Sequence, residues 1–126
     1  MKSNLFGYIK LGRLNKNIAD QIGRKSADIY IDYNHLRHIE NSRGEYLKNI
    51  KLDALSYVAK IVDNYTEIWR GKSGELLIVA YIQENEYKNI AAIELQLIIK
   101  KGIYVVKTAM PRERGMGTKE VLLWKK

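Results

Sequence analysis

Apolar residues recur along this chain with two different periods. "KLDALSYVAKIVDNY" places Leu52, Leu55, Val58, Ala59 and Val62 on one helical face. Asp53 near its start suits the positive end of a helix dipole. "RLNKNIADQIGRKS" repeats Leu14, Ile18 and Ile22 every four residues, with Gly23 as its stop, and predicts an earlier helix. Between the two, "NHLRHIEN" predicts a short helix capped by Asn34, with Leu36 and Ile39 facing the core. "NSRGEY" ends that pattern. The other period is two. Ile29 and Ile31 alternate in "DIYID", and Ile93, Leu95, Leu97 and Ile99 alternate in "NIAAIELQLIIKKG". "LFGYIKLG", "TEIWRG", "KSGELLIVAYIQ", "GIYVVKTAMP" and the closing "KEVLLWKK" are further candidate strands.

Helices come first, and strands joined by short turns come later. This order predicts an α+β fold, with two or three N-terminal helices packed on an antiparallel sheet of about four to five strands. The single proline, Pro111, lies late, and no linker, repeat or low-complexity segment divides the 126 residues. One domain spanning residues 1–126 is expected.

Charge changes this picture. The net charge is +8, and residues 100–126 hold eight basic side chains against two acidic ones. Such a surface attracts phosphates or acidic partners, although a solubilising shell has the same composition. The chain has no cysteine. Disulfides and thiolate metal sites are therefore excluded, and a reducing compartment is suited. There is no apolar run long enough to span a membrane and no signal-peptide pattern, so a cytoplasmic protein without membrane contact is expected.

Candidate chemistry centres on the only two histidines, His35 and His38. Three apart on a helix, they are neighbours on one surface. Imidazole is the side chain best suited to proton transfer near neutral pH. A helix-rim pair without function is the plain alternative. A metal site would need a third ligand, and no H-E-x-x-H pattern exists, so no metal or cofactor is expected. The second candidate stretch is "YVVKTAMPRERG". Strand alternation puts Lys107 and Thr108 on opposite faces, with Thr108 sharing the face of Val106. Arg112 and Arg114 follow in a glycine-flanked loop suited to forked phosphate contacts. Lys100 and Lys101 add to this basic region. Arg70 ends a strand beside Trp69, where an arginine reaches phosphate and an aromatic ring stacks a base. A solvated turn and a core tryptophan are the competing readings.

These segments resemble the phage-associated nucleases grouped with barnase, EndoU, colicin and RelE-like ribonucleases. The likeness runs over roughly residues 5 to 124. It rests on "GYIKLGRLNKNIADQIG", "IYIDYNHLRHIE", "TEIWRGKSGELLIVAYI" and "IYVVKTAMP". The resemblance implies a toxin-like or phage-encoded, metal-independent endoribonuclease. Its partners would be RNA and an acidic inhibitor or antitoxin. It matches His38 to the helix histidine, Arg70 to a basic residue at a strand end and Thr108 to a hydroxyl on the late strand. His35, Lys107 and Arg112 join this set from the local reading alone. The competing function is a non-catalytic basic nucleic-acid-binding or phage structural domain, which needs charge but no titrating group.

Overall fold

The computed structural model describes residues 7–81, 90–112 and 119–126. Three helices and seven strands follow the order β1 (Tyr8–Leu14), α1 (Lys16–Ile22), β2 (Ala27–Asp32), α2 (Tyr33–Ile50), α3 (Ala54–Asn64), β3 (Glu67–Arg70), β4 (Leu76–Tyr81), β5 (Ile90–Ile98), β6 (Ile103–Arg112) and β7 (Val121–Lys125). All seven strands join one sheet in the order β1-β2-β6-β5-β4-β3-β7. The fold is α+β, but the expected antiparallel sheet of four to five strands is wrong in two respects. The sheet is larger, and it is mixed, because β2 pairs with β6 in parallel. Those two strands are more than seventy residues apart in the chain, and local periodicity carries no signal for such a pairing.

The helices form as local chemistry directs, with shifted boundaries. Asn15 caps α1 through a 2.9 Å bond from the Ile18 N–H, so Leu14 belongs to β1. Gly23 closes α1 in the left-handed conformation, φ 68°. Asp53 caps α3, accepting the Ser56 N–H at 2.7 Å. The cap of α2 is Asp32 rather than Asn34, because the Asp32 carboxylate reaches the His35 N–H at 2.8 Å. Helix α2 also runs through "NSRGEY", bending at Arg43 (φ −121°, ψ 15°). At the bend, Arg43 Nε donates to the Ala109 carbonyl at 2.9 Å. Ala109 lies in the half of β6 beyond its pairing with β2, so the guanidinium supplies a donor on the edge of β6 that β2 does not cover.

One face of the sheet packs on the helices. Ile29 and Ile31 of β2, Tyr104, Val106 and Ala109 of β6, Ile93 and Leu95 of β5, and Ile78 of β4 form the core with Tyr57, Val58, Ile61 and Val62 of α3. Sheet twist wraps these elements around α3. Helix α3 touches β1 as well as β4 and β5, and α1 lies against β7 on the opposite edge. On the other face, Tyr30, Ile103 and Val105 make a small second cluster with Tyr8 and Ile98. Ile99, expected to continue the β5 alternation, lies past the strand end and is 82% exposed.

Candidate nucleic-acid interface

The C-terminal end of β2 carries an acid–base pair formed by a predicted residue. Asp32 Oδ1 lies 2.8 Å from both the backbone N–H and the ring Nδ1 of His35. A carboxylate can only accept, so Nδ1 carries the proton, and in the neutral tautomer Nε2 is the ring's acceptor. His35 is partly exposed, with a side-chain exposure of 31%. His38 lies one turn further along α2 and is exposed, while Leu36 and Ile39 pack inward as expected.

Strand β6 presents its candidates differently from simple alternation. Leu95 pairs with Val106 and Glu94 with Thr108, which leaves Lys107 as the extra residue of a bulge. The residues flanking such a bulge share the side of their common partner. Lys107 therefore joins Val106 and Leu95 on the helix side. Thr108 does not share a face with Val106; it stands on the opposite side, across from Glu94. The parallel register sets Tyr30 against Val105. The parallel pairing ends there, and Asp32 shares the face of Tyr30 while the bulge turns Lys107 to the helix side.

The remaining candidates disperse. Arg70 is exposed at the end of β3, with β5 and β4 lying between that strand and β6. At about 4.8 Å per strand this separates it from β6 by about 14 Å. Its row, Arg70–Leu76–Leu95, runs along the helix side, away from Thr108. Arg112 is held by Glu120 through two bonds of 3.1 Å, Nη1 to Oε1 and Nη2 to Oε2. Lys100 and Lys101 lie in the β5–β6 turn, where Lys101 Nζ stands 5.9 Å over the Tyr8 ring. Tyr8 meets Tyr30 edge-on at 6.3 Å, which gives this corner a basic and aromatic character. Arg114 lies outside the described residues.

Two cavities accompany these groups. One, of about 470 Å³, is lined by Lys72, Glu75, Leu77, Met110, Arg112, Lys119 and Glu120. The other, of about 600 Å³, lies between the α1–β2 loop, the β3–β4 turn and the β6 bulge, and Lys107 lines it with Arg24, Lys25 and Tyr104. Neither is lined by a histidine. The sequence reading missed Asp32, Arg24 and Lys25. An aspartate three residues before a histidine at a helix start was the available signal for the first. The "GRKS" run just after a helix stop was the signal for the other two.

Among the described residues, no three acidic or imidazole side chains gather into a metal-binding group. No described helix is long and apolar enough to cross a membrane. No protein-family model, curated protein or solved structure matches the chain.

Proposed function

We propose that this protein is a metal-independent endoribonuclease of toxin-like or phage-encoded type, with His35 as general base. The supporting observation is the Asp32–His35 bond of 2.8 Å, which engages Nδ1 and leaves Nε2 as the ring's acceptor in the neutral tautomer. In this reaction His35 Nε2 takes the proton of a ribose 2′-hydroxyl. The 2′-oxygen attacks the adjacent phosphorus, and the bond from phosphorus to the 5′-oxygen breaks. His38, one turn along α2, donates the proton that the leaving oxygen needs. Lys107 lines a groove without a histidine and binds the RNA backbone away from the reacting phosphate. The products are a 2′,3′-cyclic phosphate and a 5′-hydroxyl. Arg112, already committed to Glu120, and Thr108, facing Glu94, take no part. The net charge of +8 suits both RNA and an acidic inhibitor protein.

Incubation with RNA in EDTA tests this reading. Cleavage is expected, and His35→Ala should slow it by about 10²–10⁴-fold, the usual contribution of a general base. Replacing the scissile 2′-hydroxyl with hydrogen should abolish it. RNA left intact by the wild-type protein overturns the reading. A second reading, RNA binding without cleavage, is favoured by the Lys101–Tyr8 corner, where a cation and a partly exposed ring adjoin.

A further inference from the structure

We propose that the 600 Å³ groove beside the β6 bulge is a phosphate subsite for single-stranded RNA, formed by Arg24, Lys25 and Lys107. The inference rests on RNA as the ligand but does not require cleavage. The three cations come from two segments about eighty residues apart, and the fold turns them toward one cavity. Gly23, at φ 68°, reverses the chain after α1 and sends Arg24 and Lys25 over the sheet. Tyr104 fixes that loop, donating its hydroxyl to the Lys25 carbonyl at 2.6 Å. Arg24 and Tyr104 both line the groove. The bulge does the rest by rotating Lys107 to the helix side with Leu95.

Two acids, Glu75 and Glu94, also line the groove, so three cations against two carboxylates leave it basic by one charge. Glu94 lines it from the strand position next to Leu95, across from Thr108. Glu75 Oε1 is occupied by the Ser73 N–H at 2.9 Å. The volume is within the range of ligand pockets, about 300–1,000 Å³. Leu95, Leu97 and Tyr104 give an apolar floor, and Arg70 lies in the same strand row as Leu76 and Leu95. A strand of RNA crossing this groove meets cations along its backbone and apolar surface beneath its sugars and bases.

The test is binding of a fluorescent oligouridylate methylated at every 2′-oxygen, which cannot be cleaved, across a salt series. The paired variant Arg24→Gln with Lys25→Gln should weaken binding at least about fivefold. It should also lower the slope of log affinity against log salt by about 1.4, at about 0.7 per phosphate contact on a single strand. Lys48→Gln, on the exposed end of α2, should change neither. An amide chemical-shift titration of the wild-type protein should move Arg24, Lys25, Ser73 and Gly74, and it requires no variant to fold. Unchanged affinity and slope in the paired variant, unmoved amides, or no binding by the wild-type protein overturns the proposal. Binding through this groove by a protein that cleaves nothing upholds the subsite while refuting the nuclease.

Discussion

One oxygen of Asp32 serves two donors of His35, the main-chain N–H and the ring Nδ1, each at 2.8 Å. The contact that starts helix α2 is therefore also the contact that orients the imidazole. Removing it should cost both stability and activity, but different substitutions separate the two. Asp32→Ala should destabilise the fold by about 1 kcal/mol, the usual cost of a lost N-cap. Asp32→Asn should keep thermal stability nearly unchanged, because asparagine caps as well as aspartate. It should still slow cleavage, since the carboxylate that stabilises positive charge developing on the ring during proton transfer is gone. Melting curves and the pH dependence of cleavage, measured on both variants, check this.

Gly12 should tolerate no side chain. A Cβ built there would lie 2.7 Å from Val62 Cγ1, on the buried face of α3. Gly12→Ala should cost about 1–3 kcal/mol through overpacking, read from urea unfolding. Val62→Ala in the same protein should recover part of that loss, because it removes the obstructing methyl groups.

Arg112 should act on stability more than on RNA affinity. It bonds Glu120, the residue before β7, twice from the C-terminal end of β6, and both side chains are largely buried. Arg112→Ala should therefore destabilise the protein by about 1.5–3 kcal/mol, as expected for charge-assisted bonds. Its effect on oligonucleotide affinity should be smaller than that of neutralising Arg24 and Lys25. Chemical denaturation and anisotropy titration on the same variant separate the two effects.

Alkali should unfold this protein cooperatively. Burial, followed by its neighbour Tyr46, raises the Tyr57 phenol far above its ordinary value of 10.0. Burial also raises Tyr46, Tyr65 and Tyr104. Each phenol is neutral in both states below its unfolded pKa, so its stabilising effect is complete there. As pH rises past about 10, the unfolded chain loses protons that the folded chain keeps, and stability falls. Urea midpoints should be flat through neutral pH and drop above about pH 10. Tyr57→Phe should make that drop shallower.

The parts of this fold set by short-range chemistry were readable. Asp53 and the Leu52–Val62 stripe predicted α3, and Gly23 predicted the end of α1. Ile93, Leu95 and Leu97 predicted β5. The parts set by distant partners were not. Nothing near Ala109 announces that Arg43, sixty-six residues earlier, donates to its carbonyl and carries α2 through its bend. Pairing of β2 with β6 likewise depends on the whole chain between them.

The candidate site divides along the same line. His35 at a helix start was legible. Its partner Asp32 was obscured because Asn34 is an equally good cap by residue type. Lys107 and Thr108 were expected on opposite faces, and they are. The bulge opposite Leu95 exchanged which of them faces the core, and a bulge leaves no mark in a pattern of alternating residues. Arg70, Arg112 and Lys107 looked like one basic set along the chain. The strand order distributes them to different places.

The most direct test of the central claim is product analysis after incubating the purified protein with a short RNA in EDTA. The account predicts fragments ending in 2′,3′-cyclic phosphate, formed by the wild-type protein and lost in His35→Ala while oligonucleotide binding persists. Intact RNA with the wild-type protein, or equal cleavage by His35→Ala, would contradict it.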